Sequence, residues 1–369
     1  MKVVIATCFE SNEERVSFVL EACKKRKYNA KVITTGFSHI KKQKRTNIPK
    51  DYLVVETKPY NKNLSIKRMK SHSKFAKDTF KLIEQETPDL IWLMAPANSL
   101  IKEAKKYKKK YPATKLIIDI IDMWPESLPL GISSSIFPLN IWRNVRRNSI
   151  DCADTLVTEC DFYHEILNEE YEKNITTIHW ARESKVVETK TSLPKDRLSL
   201  CYIGSINNII GTTLVSEIID KCDMPIVLHV IGEGENRYNF VNLNSRVCEV
   251  IYHGAIRDEE EKNRIFNKCH AGLNIYKNDL YIGLTVKSID YFEHGLPVIN
   301  NIKGDTWSMI EKYNVGINIK DDEVLHGEDI IKMRKNNKNV YKLFNDNFTK
   351  EVFIEKCYKV IDGVIKWRQ

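Results

Sequence analysis

The 369-residue chain has no run of about 18 apolar residues, so no membrane-spanning helix is expected. Its nine cysteines are odd in number and form no C-x-x-C pair. They read as small buried apolar residues of a reducing compartment, not as zinc ligands or a disulfide framework. The G-x-G-x-x-G fingerprint of dinucleotide enzymes is missing, which disfavours a nicotinamide dehydrogenase. No D-x-D pair is suitably placed after a strand, so no metal clamp and no essential metal are expected. No nucleic-acid motif is present, and aromatics do not alternate with the basic runs as a stacking platform requires. The N-terminus, MKVVIATCFESNEERV, carries only a short apolar run that ends in charges. It reads as a first buried strand rather than a signal peptide, and the protein is expected in the cytoplasm.

What is present fits a soluble globular chain: 42% hydrophobic and 29% charged residues. The length suits two domains of roughly 150–200 residues. The net charge of +9 is concentrated in the first half, at Lys24–Lys27, Lys41–Arg45, Lys67–Lys74 and Lys105–Lys110. Such a surface attracts phosphates, from anionic lipid or a pyrophosphate-linked substrate, or is simply a solvated face.

Short apolar β-rich runs alternate with longer helical patterns, the signature of βαβ units and parallel sheets. Strands are expected at Val3–Ala6, Lys31–Thr34, Leu53–Glu56, Leu90–Met94, Lys115–Ile120, Thr155–Thr158 and Ile175–Ile178. Helices are expected between them, among them Glu13–Lys25, Ser65–Gln85 and Asn98–Tyr111. A polar, proline-containing stretch, Glu183–Arg197, reads as a linker. Strands resume at Leu198–Ile203, Ile226–Ile231, Val250–Tyr252, Ala271–Ile275, Val298–Asn300 and Gly316–Ile319, and a helical tail runs from about Asp329. The fold class is therefore α/β: two Rossmann-like, doubly wound domains facing across a cleft, with C-terminal helices. The first spans 1–190 and the second 191–369, the last helix packing back on the first.

Ligands of doubly wound domains bind beyond the carboxyl ends of the strands, so the loops there carry the candidate chemistry. Gly204-Ser205 ends the first strand of the second domain, where glycine permits close approach to a phosphate. Gly232-Glu233-Gly234 ends the next strand. His253-Gly254 ends the third and is followed by Asp258, an N-cap facing Glu261 in a capping box. Gly283-Leu284-Thr285 then leads into a helix whose first turn holds Lys287, with Asp290 one turn on. A lysine at the positive end of a helix is unfavourable for stability alone, and an anionic ligand there would explain it. Asp290 could accept from ribose or sugar hydroxyls. The plainer alternative is an i,i+3 ion pair between Lys287 and Asp290. In the first domain, Asp122, Trp124 and Glu126 follow a strand end. The apolar segment Leu128–Trp142 comes next, then Arg143, Arg146 and Arg147. It reads either as a buried loop or as a surface that touches an anionic membrane or covers a lipid-linked acceptor.

In their order, these loops resemble the GT-B glycosyltransferases of family 4 and their relatives in capsule and exopolysaccharide clusters. The resemblance spans nearly the whole chain. The strand ending at Gly204-Ser205, the G-[DE]-G turn at Gly232–Gly234, the HG strand end at His253-Gly254, and K-x-x-[ED]-Y-x-x-x-G-x-P-V at Lys287, Asp290, Tyr291, Gly295, Pro297 and Val298 carry it. Asp122-x-Trp124-Pro125-Glu126 looks like the D-x-W-P-E stretch of the capsule-type branch. Two features depart from the pattern. Ile282 stands where the first of the family's paired glutamates is usual, which leaves the sugar's identity open. The first-strand loop, Thr7–Arg15, is not glycine-rich, so its acceptor contacts cannot be carried over.

The resemblance implies a hexosyltransferase-type enzyme. It would move a sugar from a UDP-sugar, with retention of configuration, to a glycan or lipid-linked acceptor in bacterial surface polysaccharide synthesis. Such an enzyme would work in the cytoplasm at the inner face of the membrane. The implied donor-binding set is Gly204, Ser205, Gly232, Glu233, Gly234, His253, Gly254, Gly283, Leu284, Thr285, Lys287 and Asp290. Lys287 would stabilise the leaving diphosphate, and Asp122 and Glu126 would contact the acceptor or assist with protons. A nucleotide-sugar epimerase and a non-catalytic sugar-nucleotide-binding partner subunit are the alternatives.

Overall fold

The structure is a computed structural model that describes all residues except 129–136, 138, 184–192, 244–247, 278–279, 321–323 and 366–369. The chain divides into two compact units, Met1–Trp180 with Lys350–Gln369, and Ala181–Thr349. Most of the linker segment expected from sequence lies outside the described residues.

The strands of the first unit are β1 (Lys2–Ala6), β2 (Asn29–Thr35), β3 (Phe37–Ser38), β4 (Gln43–Lys44), β5 (Leu53–Val55), β6 (Leu90–Ala95), β7 (Lys115–Ile120), β8 (Thr155–Thr158) and β9 (Ile175–Thr177). Seven of them form a parallel sheet in the order β5-β2-β1-β6-β7-β8-β9. Its central strands are buried on both faces, which is why they read as continuous apolar runs such as Leu90–Ala95. The antiparallel pair β3–β4, too short and polar to show in the sequence pattern, forms a small ribbon beside it. The helices are α1 (Glu13–Lys25), α2 (Ile66–Glu86), α3 (Asn98–Lys110), α4 (Leu139–Arg147) and α5 (His164–Glu170). Ser65 caps α2 by accepting from the Arg68 amide at 3.2 Å.

The second unit holds β10 (Leu198–Ile203), β11 (Ile226–Ile231), β12 (Cys248–Gly254), β13 (Ala271–Asn274), β14 (Val298–Asn300) and β15 (Gly316–Asn318), with α6 (Thr212–Asp220), α7 (Arg237–Val241), α8 (Glu259–Phe266), α9 (Val286–Glu293), α10 (Asp305–Tyr313), α11 (Gly327–Lys335) and α12 (Lys338–Asn347). Its sheet is parallel throughout, in the order β12-β11-β10-β13-β14-β15.

The last helix, α13 (Lys350–Ile365), belongs to the first unit. There Phe353 packs edge-on against Phe18 of α1, and Asp362 takes both terminal nitrogens of Arg26 at 2.8 and 2.9 Å. Each sheet reverses its winding once, between β1 and β6 in the first unit and between β10 and β13 in the second. At these switch points the two neighbouring connections leave in opposite directions and open a crevice beyond the strand ends.

Candidate functional site

The switch point of the second sheet is built from Tyr202 near the end of β10, Tyr276 just past β13, and the start of α9. Thr285 caps α9, accepting from the Ser288 amide and donating to Asn274 Oδ1 at 2.9 Å. Asn274 in turn starts a chain of amide hydrogen bonds: its Nδ2 donates to Asn300 Oδ1 at 2.8 Å, and Asn300 Nδ2 donates to Asn318 Oδ1 at 2.9 Å. This buried row of amides ties the cap of α9 to three strand ends. It was invisible in sequence, because three asparagines about twenty residues apart carry no local pattern.

Lys287, at the second position of α9, is buried. Its Nζ lies 4.2 Å from the centre of the Tyr202 ring and 4.4 Å from that of Tyr276. It has no hydrogen-bond partner among the described residues. Burial pushes its pKa down to about 7. The i,i+3 pairing with Asp290 is not formed. Asp290 Oδ1 instead accepts from Arg182 Nε and Nη2, each at 3.0 Å. Burial pushes the Asp290 carboxyl up, against the pull of Arg182.

Gly204 adopts φ +127°, and a Cβ placed on it would lie 4.0 Å from Lys287 Nζ. The glycine and the ammonium therefore share one small volume. The Gly204 amide belongs to the strand ladder. It donates to the Ile231 carbonyl at 3.0 Å and is not available to a phosphate. The Ser205 carbonyl is fixed by the Tyr202 hydroxyl at 2.8 Å.

Gly232 and Gly234 have packing reasons of their own. A Cβ on Gly232 would sit 1.9 Å from the Gly204 carbonyl oxygen, and one on Gly234 would sit 2.1 Å from that of Ile206. Bonds from Ile206 N to Glu233 O and from Gly232 N to Gly254 O zip the three loops together. Glu233 pairs with Arg237 at 3.3 Å on the surface. His253 Nε2 meets His229 Nδ1 at 3.0 Å, and burial pushes His229 down to about 4. Asp258 caps α8 through the Glu261 amide at 2.7 Å. A Cβ on Gly304 would lie 2.7 Å from Gly283 Cα, so the two glycine backbones pack closely, and Leu284 is buried. Asp279 lies outside the described residues. Tyr291 was legible only as part of a motif. Its hydroxyl accepts from the Ile203 amide at 3.0 Å and lies within hydrogen-bond reach of the Cys201 and Leu273 carbonyls. It thus clamps β10 to β13 at the switch point. Gly272 makes room for its ring, since a Cβ there would lie 2.4 Å from it.

In the first unit the two candidate acids have different fates. Glu126 is in a buried bidentate pair with Arg146 at 2.8 and 2.9 Å, which Glu170 shares. Both its oxygens are occupied, so the expected contact with acceptor is replaced by a structural one that also anchors α4. Asp122 accepts from Trp124 Nε1 at 2.6 Å and from the Ser127 hydroxyl, and burial pushes its pKa up. A third carboxyl, Glu159 after β8, was missed. It accepts from Tyr163 at 3.0 Å and from Trp180, and burial, with Asp122 nearby, pushes it to about 8.

Of the Leu128–Trp142 segment, the described residues give an exposed Phe137 and the start of α4. Phe137, Leu139, Ile141 and Trp142 line a groove of about 1220 Å³ with Leu64, Ile66 and Met69, and Lys70, Lys74, Lys77 and Lys81 border it. The basic run Lys105–Lys110 is largely paired, for example Lys105 with Asp151 and Lys110 with Glu84. Among the described residues no group of three or more His, Cys, Asp or Glu could hold a metal ion. No helix of the described residues is long and apolar enough to cross a membrane.

No family model matches the chain, and no curated protein matches it. Solved structures do. Sucrose-phosphate synthase from Thermosynechococcus elongatus is similar with a TM-score of 0.72 at 12% identity over 99% of both chains. Anabaena HepE, in complex with UDP, is similar at 0.68 and 11%, over 98% of this chain and 100% of that one. The UDP-GlcNAc 2-epimerase of Methanocaldococcus jannaschii follows at 0.55 and 12%, over 98% and 100%. At such identities the likeness is one of fold: the chain has the GT-B fold, built from two Rossmann-like units.

Proposed function

We propose that the protein is a glycosyltransferase that moves a sugar from a nucleotide-sugar donor, a UDP-sugar, to a glycan or lipid-linked acceptor in surface polysaccharide synthesis. The observation that carries this reading is the buried Lys287 ammonium. It stands at the switch point of the second sheet with no hydrogen-bond partner, beside the side-chain-free Gly204. An uncompensated buried charge costs several kcal/mol. A diphosphate placed there would receive the ammonium and the positive end of α9. The fold shared with UDP-bound HepE supports a uridine nucleotide.

Departure of a nucleoside diphosphate builds negative charge on the β-phosphate and positive charge on the sugar. The need is for preorganised positive charge at the phosphate rather than for a strong base. Lys287 supplies it on a helix whose cap is locked by the asparagine row. Asp290, paired with Arg182, is the candidate for ribose, and Asp122 is the candidate for acceptor contact. Transfer with retention, and without an essential metal, completes the proposal; EDTA should then leave activity intact. The groove of the first unit, apolar and bordered by lysines, supports peripheral contact with an anionic membrane where a lipid-linked acceptor would reside.

The test is a thermal-shift screen of UDP, ADP, GDP and their sugars, followed by transfer assays with the hits. A donor that raises the melting point of the native protein but not of Lys287→Ala, and whose sugar is transferred, supports the reading. Nucleotide-sugar binding that survives Lys287→Ala unchanged refutes the site. The fold shared with an epimerase supports a second reading. Interconversion of a nucleotide sugar without any acceptor would favour it. Nucleotide-sugar binding without transfer to any acceptor, unless a partner transferase is added, would favour the non-catalytic subunit.

A further inference from the structure

A second buried cation without a counter-ion lies in the first unit. Arg68, in the first turn of α2, is 2% exposed. Its guanidinium lies 4.0 Å from the centre of the Trp124 ring, with Phe9 and Tyr60 at 5.7 and 5.9 Å. Nη1 donates to the Asn63 carbonyl at 2.8 Å, and Nε reaches His72 Nε2 only at 3.5 Å. Among the described residues Nη2 has no hydrogen-bond partner.

A second cation adjoins it. Lys42 Nζ donates to the Asn63 side chain and lies 5.1 Å from the centre of the Tyr60 ring. Asn63 therefore holds both cations with neutral oxygens.

Asp122 and Glu10 lie near enough to attract Arg68 and Lys42, but among the described residues neither carboxylate forms an ion pair with either cation. The Glu10 carboxylate accepts from the Ser38 hydroxyl and the His39 and Ile40 amides. Asp122 is taken up by Trp124 and Ser127. Burial keeps His39 and His72 neutral, His39 being pushed down to about 4, and holds the Cys8 thiol at about 12. The first turn of a helix adds further positive potential. A fully buried guanidinium with an unused donor, next to an ammonium and at a helix N-terminus, is destabilising unless an anion joins it.

The place is also right for a ligand. Phe9, Tyr60 and Trp124 follow the carboxyl ends of β1, β5 and β7, at the edge where doubly wound sheets bind, and His39 follows β3 of the ribbon. Solvent reaches the group at His39, Lys42 and Trp124, which are half-buried.

We propose that this cluster is an oxyanion subsite for the acceptor, in which Arg68 and Lys42 take a phosphate or carboxylate carried by a saccharide. Aromatic rings beside two neutral histidines and a tyrosine hydroxyl suit a body with an apolar face and hydroxyl groups. That the bound molecule is the acceptor rests on the transferase reading; that the cluster binds an oxyanion does not.

The experiment is calorimetric titration of the full chain, saturated with UDP to fill the second unit, using glucose 1-phosphate, glucuronate and glucose. At least one charged sugar should bind ten-fold or more tightly than glucose, and which one identifies the group recognised. Arg68→Met should abolish the preference. Lys42→Met, at a half-exposed position where folding is not at stake, should reduce it at least three-fold. Charged sugars that bind no better than glucose, or a preference that survives both substitutions, would overturn the proposal. Hydrogen exchange of peptides covering β1 and β6 reports folding of the first unit in the variants, which UDP binding in the second unit does not. If native protein does not bind UDP, the donor reading fails alone, and the sugar titrations still decide the oxyanion site without it.

Discussion

Replacing Lys287 by Met should make the free protein more stable and deaf to its donor. The folded-state pKa falls from 10.5 to about 7. At about 1.36 kcal/mol per unit this shift corresponds to an upper bound of about 5 kcal/mol of strain in the charged form. Burial causes the shift, and the two tyrosine rings that face the ammonium offset part of it, by up to about 2 kcal/mol. About 3 kcal/mol or less is left for a methionine to recover, since it keeps the apolar stem and drops the charge. For a unit of this size that is a rise in Tm of roughly 2–4 °C per kcal/mol.

The sign with pH follows from linkage. A lysine whose folded pKa is depressed binds fewer protons folded than unfolded between about pH 7 and 10.5. The variant's advantage is therefore complete below pH 7 and shrinks as pH rises toward 10. UDP should reverse the order. A ligand at one hundred times its Kd adds about 2.7 kcal/mol to the native protein, and much less to the variant. Because the chain has two units, the readout should be local: hydrogen exchange of peptides covering β10 and β13, with urea and with and without UDP. A Lys287→Met protein that is less stable than native at pH 6, or is stabilised equally by UDP, would refute the reasoning.

Other outcomes follow from the same geometry. Asn300→Ala should cost about 2–3 kcal/mol in urea unfolding, because it strands Asn274 and Asn318 at once and loosens the cap of α9; a loss under 0.5 kcal/mol would show that the row carries no weight. Glu159 has a folded pKa near 8, above its ordinary value of 4.5, so its contribution to stability is lost as pH rises from about 4.5 to 8, at no more than about 1.4 kcal/mol per unit. Glu159→Gln should flatten stability over that range, and an unchanged pH profile would contradict this. Ile66→Ser with Phe137→Ser should weaken sedimentation with phosphatidylglycerol vesicles several-fold, and leave Tm within about 1 °C, since both side chains are more than two-thirds exposed. Equal sedimentation would remove the membrane from the proposal.

The sheets were legible because parallel strands buried on both faces must be apolar throughout. Lys115–Ile120, Leu198–Ile203 and Ile226–Ile231 are predicted and observed with the same ends. Glycine positions were legible too, but not their reasons. Gly232 and Gly234 stand in the donor-binding set that the resemblance implies, and the structure adds that each makes room for the backbone of a neighbouring loop. The β3–β4 ribbon escaped notice because two-residue strands have no periodicity to detect.

By itself the amino-acid order determined the alternation of strand and helix, the parallel character of both sheets, and the positions of Lys287 and Gly204 beyond strand ends. Each of these depends on local pattern, which a linear string carries in full. Tertiary structure alone decided which charges have partners. Glu126 goes to Arg146, Asp290 goes to Arg182, and Lys287 and Arg68 have no carboxylate partner among the described residues. The distinction between a salt bridge and a binding site lies in side chains that meet across tens or hundreds of residues, and burial sets its energy.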